Sequence, residues 1–310
     1  MMQREATIYW LARHDADFEP LKEITSDLLL FDGAMKVIVL RLVPEPENLL
    51  RNQERLGSFS VDAAGSLGDA LAIIHGRVGL RTRGDPPREA FPLEPPGILT
   101  AHRDGPLNQW LGQGQRRLVE IVREHSTLRD SLDSLASSWR FDSFIHGDMK
   151  FENCVLSRSD SRGKVEVKIV DWELADFGDA CWDVGSLVQA YLYHRIRPSL
   201  GQRGVSLEAR LENGGDQTGS MRAAVARFWQ RYLAGRGMGE SESRAFVERA
   251  GYCVSARMIQ MALEVMHGQP EPPPAALSLL EAGAEIITCP GPVASAWQPF
   301  SLLASPTREE

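Results

Sequence analysis

Asp148, Lys150, Asn153 and Asp171 have the residue types and spacing to move a phosphoryl group. The first three lie in HGDMKFEN, residues 146–153, and the fourth ends the apolar run VKIV at 167–170. Phosphoryl transfer asks a protein mainly to position the reactants and neutralise charge. A carboxylate must orient the attacking hydroxyl and take its proton, which suits Asp148. Hard oxygen ligands must hold magnesium. Asn153, in the same loop, and Asp171, at a strand end, supply them.

Taken singly, each residue is commonplace, because an aspartate before a turn is usually a turn former. The combination HGDxKxxN, a hairpin, IVDWE and then GDACWDVG (178–185) is far less expected by chance. Other motifs are poor. The sequence contains no GxxxxGK[ST], HExxH or GxSxG. GRGMG at 235–239 falls between helices, where a helix C-cap and linker is its natural use. His75 reads as a satisfied structural histidine and Cys181 as a small buried hydrophobe.

The elements that must position the loop follow from periodicity. A helix is expected over 4–14, then two strands around the turn 31–34. The second strand, 37–43, is mostly apolar and expected to be buried, and Pro44 and Pro46 end it. A helix over 61–75 carries Leu67, Leu71 and Ile74 on one face. Helices are expected over 107–124 and 126–139, after a proline- and glycine-rich passage. In the hairpin 154–170, Val165, Val167 and Ile169 should point inward, opposite Glu166 and Lys168. Helices follow over 183–193, through Met221, Val225, Phe228, Trp229 and Tyr232, and over 243–267 and 275–287. The loop 201–219 and the helices after it are expected to shape an acceptor pocket.

Length and composition set the bounds. The chain has 310 residues, 43% hydrophobic and 25% charged, as in ordinary globular proteins. A net charge of -8 argues against a broad nucleic-acid or anionic-membrane surface. Four separated cysteines without a CxxC pair fit a reducing compartment. With no apolar leader and no run of transmembrane length, the expected location is cytoplasmic.

The motif set resembles the catalytic and metal-binding loops of the aminoglycoside-phosphotransferase-like kinases, within the protein-kinase-like superfamily. The likeness extends to LLLFDGAMKVIVLRLV (28–43), similar to the last N-lobe strands and hinge, and to SLGDALAIIH (66–75), similar to the helix before the catalytic loop. It implies an α+β fold with a small N-lobe over 1–45, shortened at its N-terminus, and a large, mainly helical C-lobe over 46–310. It also implies ATP or another nucleoside triphosphate with Mg, and adenine held by the backbone of Arg41, Leu42 and Val43. On this alignment Asp148 and Lys150 are catalytic, Lys150 steadying the transferred phosphate, and Asn153 and Asp171 hold the metal. His146 buttresses the loop and Asp183 anchors its backbone. Glu173 either touches metal or water, or caps the next turn.

Glu5 corresponds to a glutamate that pairs in this family with a strand lysine, and only four residues precede it. The glycine-rich loop and that lysine are therefore not found where the resemblance asks for them. A start assigned too late, a pseudokinase, or a partner protein completing the lobe would each account for this. The expected function is phosphorylation of a hydroxyl on a small molecule or a peptide Ser/Thr. The alternative is a non-catalytic binding or scaffolding module.

Overall fold

The computed structural model describes residues 2–82, 89–105, 109–158, 165–202, 204–213, 215–266 and 268–288. The first helix, α1 (Met2–His14), buries Ala6, Ile8, Tyr9 and Ala12, and packs on the short 3₁₀ turn Trp172–Leu174 that follows Asp171. A 3₁₀ turn, Glu19–Glu23, leads into the antiparallel ribbon of β1 (Leu28–Asp32) and β2 (Val37–Leu40). Asp32 closes its turn by accepting the backbone N–H groups of Ala34 and Met35, both at 2.9 Å.

This ribbon differs from the sequence expectation. The second strand stops at Leu40, and it is not buried. Leu29 and Leu30 are 55% and 56% exposed, and Val37 and Val39 are exposed as well. Apolar composition favours burial only where another element lies across the face, and a two-stranded ribbon has little to bury by itself. No described element covers these side chains.

Past Pro44 and Pro46 the chain forms β3 (Glu47–Asn48) and α2 (Leu49–Leu56), a helix that periodicity did not suggest. Its signals are at its ends. The Asn48 side chain accepts the Arg51 N–H at 2.9 Å, and Gly57 caps the C-terminus in the left-handed conformation. Then α3 (Val61–Arg77) lies against α8 (Asp216–Arg236). At Gly68 the helices are so close that a Cβ would come within 2.5 Å of the Phe228 carbonyl oxygen.

The middle of the chain carries α4 (Gln113–Glu124) and α5 (Ser126–Ser137). The first starts later than expected, because the Gln115 side chain caps the Gly112 N–H at 3.0 Å. Around the loop, β4 (Ser143–Ile145) pairs with β7 (Asp176–Gly178), and β5 (Cys154–Arg158) is sandwiched between β3 and β6 (Val165–Ile169). The turn of the β5–β6 hairpin lies outside the described residues. Val167 and Ile169 are buried as the alternation required.

The remaining helices are α6 (Ala180–Ile196), α7 (Leu207–Glu212), α9 (Glu240–Glu264) and α10 (Pro274–Thr288). Met221, Val225, Phe228, Trp229 and Tyr232 of α8 are all buried, and Gly237 ends that helix in the left-handed conformation. The whole is an α+β, protein-kinase-like architecture, with the β1–β2 ribbon near the N-terminus, the small sheets β3–β5–β6 and β4–β7 flanking the loop, and a mainly helical body. Among the described residues no helix is long and apolar enough to cross a membrane.

Candidate active site

The loop 146–153 is held from behind by one buried carboxylate. Asp183, near the start of α6, accepts the backbone N–H of His146 at 2.6 Å and that of Gly147 at 2.9 Å. His75 of α3 adds a contact at 3.2 Å, with its other ring nitrogen 2.9 Å from the Tyr232 hydroxyl. Burial pushes the Asp183 carboxyl up, but the contact with His75 and the N–H donors bring it below the usual range. Asp183 and His75 are thus structural, as the resemblance and the sequence had suggested.

Glycine is required at position 147. Its φ is +84°, and a Cβ there would sit 2.4 Å from the Leu174 carbonyl oxygen. The Trp182 indole N–H donates to the Gly147 carbonyl at 2.9 Å. His146 accepts the Asp148 N–H on Nδ1 at 3.2 Å, and its Nε2 lies 3.0 Å from the Val170 carbonyl oxygen. Accepting on one nitrogen and donating from the other fixes the neutral ring with its proton on Nε2. His146 therefore ties the loop to the strand end that carries Asp171.

Asp148 is mostly buried and has cations on both oxygens. Lys150 Nζ lies 2.6 Å from Oδ2, and an Arg257 terminal nitrogen lies 3.5 Å from Oδ1. Burial alone would raise the carboxyl, but the Lys150 hydrogen bond and the Arg257 charge outweigh it and hold the group below its ordinary value. Burial works against the Lys150 ammonium too, and its pairing with Asp148 raises it. Each partner favours the charged form of the other.

Asn153 and Asp171 come together through strand pairing. Cys154 is opposite Ile169, and the Val170 N–H donates to the Asn153 carbonyl at 3.0 Å, so Asp171 follows directly. The Asn153 amide N–H donates to the Asp148 backbone carbonyl at 3.0 Å, leaving its side-chain oxygen without a donor among the described residues. Asp171 turns sharply, with φ 68° and ψ 55°, a left-handed conformation that aspartate tolerates better than most. Its carboxylate makes no hydrogen bond or ion pair among the described residues. Glu173 sits inside the following 3₁₀ turn and caps nothing.

Glu5 of α1 faces the same place. The Tyr9 hydroxyl donates to it at 3.3 Å. Burial and then the Asp171 charge push its acid up. Among the described residues no cation pairs with it.

Arg41, Leu42 and Val43 line a hollow of 280 Å³ that does not include Asp148, Asn153 or Asp171. The Arg41 N–H is already bonded to the Asp27 carbonyl at 2.8 Å, and its guanidinium pairs with the Asp27 carboxylate at 2.9 Å. Leu42 is 79% exposed. The backbone polar groups of Leu42 and Val43 make no hydrogen bonds among the described residues.

Two other hollows flank the loop. One of 430 Å³ is lined by Asp148, Lys150 and Glu152 with residues of α6 and α9. The other, 670 Å³ and mostly apolar, reaches Gly147 and Trp182. They share Leu174, Arg257, Gln260 and Glu264. The described part of segment 201–219 lines neither hollow, whereas α9, among the helices that follow it, lines both. Arg257 is the residue that sequence reasoning missed. Its only signal was a polar stripe with Gln260 and Glu264 on the otherwise mostly apolar C-terminal half of α9.

Comparison with known proteins bears on the family and the fold. A model of the phosphotransferase enzyme family, APH, matches residues 47–236. No curated protein matches the sequence. Among solved structures, choline kinase from Cryptosporidium parvum superposes with a TM-score of 0.54 at 12% identity, covering 97% of this chain and 81% of its own. A choline/ethanolamine kinase family protein from Mesorhizobium loti gives 0.53 at 16% identity, covering 95% and 84%. Plasmodium vivax ethanolamine kinase gives 0.52 at 13% identity, covering 97% and 73%.

Proposed function

Because the chain belongs to the phosphotransferase enzyme family, whose members transfer phosphoryl groups, we propose that it moves the γ-phosphoryl group of a magnesium-bound nucleoside triphosphate to a hydroxyl of a small molecule. The observation that carries this reading is Asp148, mostly buried and favoured in its ionised form beside two hollows, with Lys150 on one oxygen. The similar structures are named for kinases of small amino alcohols, which supports a small acceptor over a peptide.

The donor set fits magnesium. Asn153 and Asp171 each offer a hard oxygen that no described residue engages, and this cation prefers such ligands with water and phosphate completing its shell. The bound ion would supply charge neutralisation on the transferring phosphoryl group. Asp148 orients the acceptor hydroxyl and receives its proton. Because its acid is held below the usual range, Asp148 acts mainly by positioning, as a loose transition state requires. Lys150 steadies the transferred group. The unpaired backbone of Leu42 and Val43 suits an adenine edge, while the Arg41 N–H is already used.

We assign residues 1–45 to a small N-terminal lobe and 46–310 to the helical lobe. Three free, buried cysteines among the described residues support a reducing, cytoplasmic setting. One observation favours the second reading, a nucleotide-free binding module: Glu5 has no cationic partner among the described residues. The test is transfer of labelled phosphate from ATP to a panel of small alcohols. The expected result is turnover that falls by about 10²–10⁴-fold in Asp148→Asn. Turnover unaffected by that change would contradict the assignment.

A further inference from the structure

We infer that Arg257 is a specificity residue that grips an oxyanion on the acceptor, so that the acceptor class is an alcohol also bearing a carboxylate or similar group. This rests on the phosphotransferase reading of the same site.

A guanidinium carries five N–H donors in a fixed fork and no acceptor. The Arg257 side chain is 5% exposed, and its Nε has no hydrogen-bond partner among the described residues. Its polar contact is the one at 3.5 Å to Asp148 Oδ1, at the outer limit for a hydrogen bond. The rest of the group lies over the Trp182 ring, 5.5 Å from the centroid. A buried charge with most of its donors idle is costly unless something else satisfies it.

The position selects the acceptor over the nucleotide. Lys150 holds Oδ2 of Asp148 and feels the Asp171 charge, whereas Arg257 approaches Oδ1 from α9. Arg257 lines both hollows, and neither includes Asn153 or Asp171. Asp148, Lys150 and Arg257 together carry a net positive charge, which Glu152 and Glu264 outweigh over the smaller hollow as a whole, so the attraction for an oxyanion is local to the guanidinium. Glu152 and Glu264 line the smaller hollow without forming an ion pair with Arg257, so an ammonium on the same acceptor would also be accommodated.

The arrangement has a consequence for the reaction. A planar carboxylate fits the guanidinium fork better than the single long contact to Asp148 does. Once that oxyanion takes the fork, Asp148 Oδ1 is released to receive the acceptor hydroxyl.

The test is calorimetric binding to the full chain, without nucleotide, using two matched pairs: glycerate against glycerol, and serine against ethanolamine. The carboxylate-bearing member of each pair is expected to bind at least about tenfold tighter. Arg257→Gln should abolish that preference and Arg257→Lys should keep part of it. Equal or reversed ranking in the unaltered protein, or no binding of glycerate and serine, overturns the inference whether or not the variants fold. So does a folded Arg257→Gln chain that keeps the preference. Transfer to ethanolamine without carboxylate binding would remove this inference alone. Carboxylate binding without any transfer would remove the phosphotransferase reading and leave Arg257 an anion-binding residue.

Discussion

The loop 146–153 and the β1–β2 ribbon sit in the same chain and are built in opposite ways. The backbone of residues 146–148 is tied down from behind by Asp183, His146 and Trp182, with His75 holding Asp183, while the front presents Asp148 and the idle oxygens of Asn153 and Asp171. The ribbon has its backbone ladder and little else. Leu29, Leu30, Val37 and Val39 stand in solvent, Leu28 and Leu40 reach the core, and the neighbouring Leu42 is 79% exposed. Rigidity therefore resides around the loop, and the ribbon adds little beyond Leu28 and Leu40 to the core. Local stability is expected to follow the same division.

Substitutions can break or sharpen that contrast. The largest expected loss is in Asp183→Ala, which strips the loop of its anchor and leaves His75 and two N–H donors unsatisfied. About 3–5 kcal/mol of stability should disappear in urea unfolding, as for other broken buried charge networks. A cost under about 1 kcal/mol would mean the loop is held by something else. Gly147→Ala comes next. It forces a Cβ against the Leu174 carbonyl in a left-handed conformation, and about 1–3 kcal/mol is expected by the same measurement. The paired change Leu29→Ser with Leu30→Ser on the ribbon should stay within about 0.5 kcal/mol per site. A larger loss would show that the ribbon is covered after all.

Acid titration sharpens the contrast further. Asp148 and Asp183 have folded-state acids held below their unfolded values, so their stabilisation is present above the ordinary aspartate value of about 3.9. It is lost as pH falls through and below that point. Stability of the unaltered chain should therefore drop on acidification below about pH 4, and the drop should be shallower in Asp183→Asn. An identical slope in both would take Asp183 out of that account. Glu5 has the opposite sign. Its raised acid means that it weakens folding as pH rises through its ordinary range.

Much of the site was legible because its signals are local. HGDMKFEN fixes Asp148, Lys150 and Asn153 within one loop, and alternation in β6 places Asp171 at a strand end. The motif match, read with the helix before it, was enough for the fold class. What escaped depends on packing across the chain. The apolar run at 37–43 looked buried because sequence does not say whether anything lies over it. The helix α2 was hidden behind two prolines, although Asn48 and Gly57 mark its ends. Arg257 lies 109 residues after Asp148, and only the packing of α9 against the loop brings the two together.

The measurement that tests the central claim most directly is ATP binding by calorimetry, with and without magnesium, on this chain and on Asp171→Ala. The account predicts magnesium-dependent binding that the substitution abolishes. Binding indifferent to both magnesium and Asp171, or no binding at all, would contradict the reading of Asn153 and Asp171 as the metal side of a working phosphotransferase.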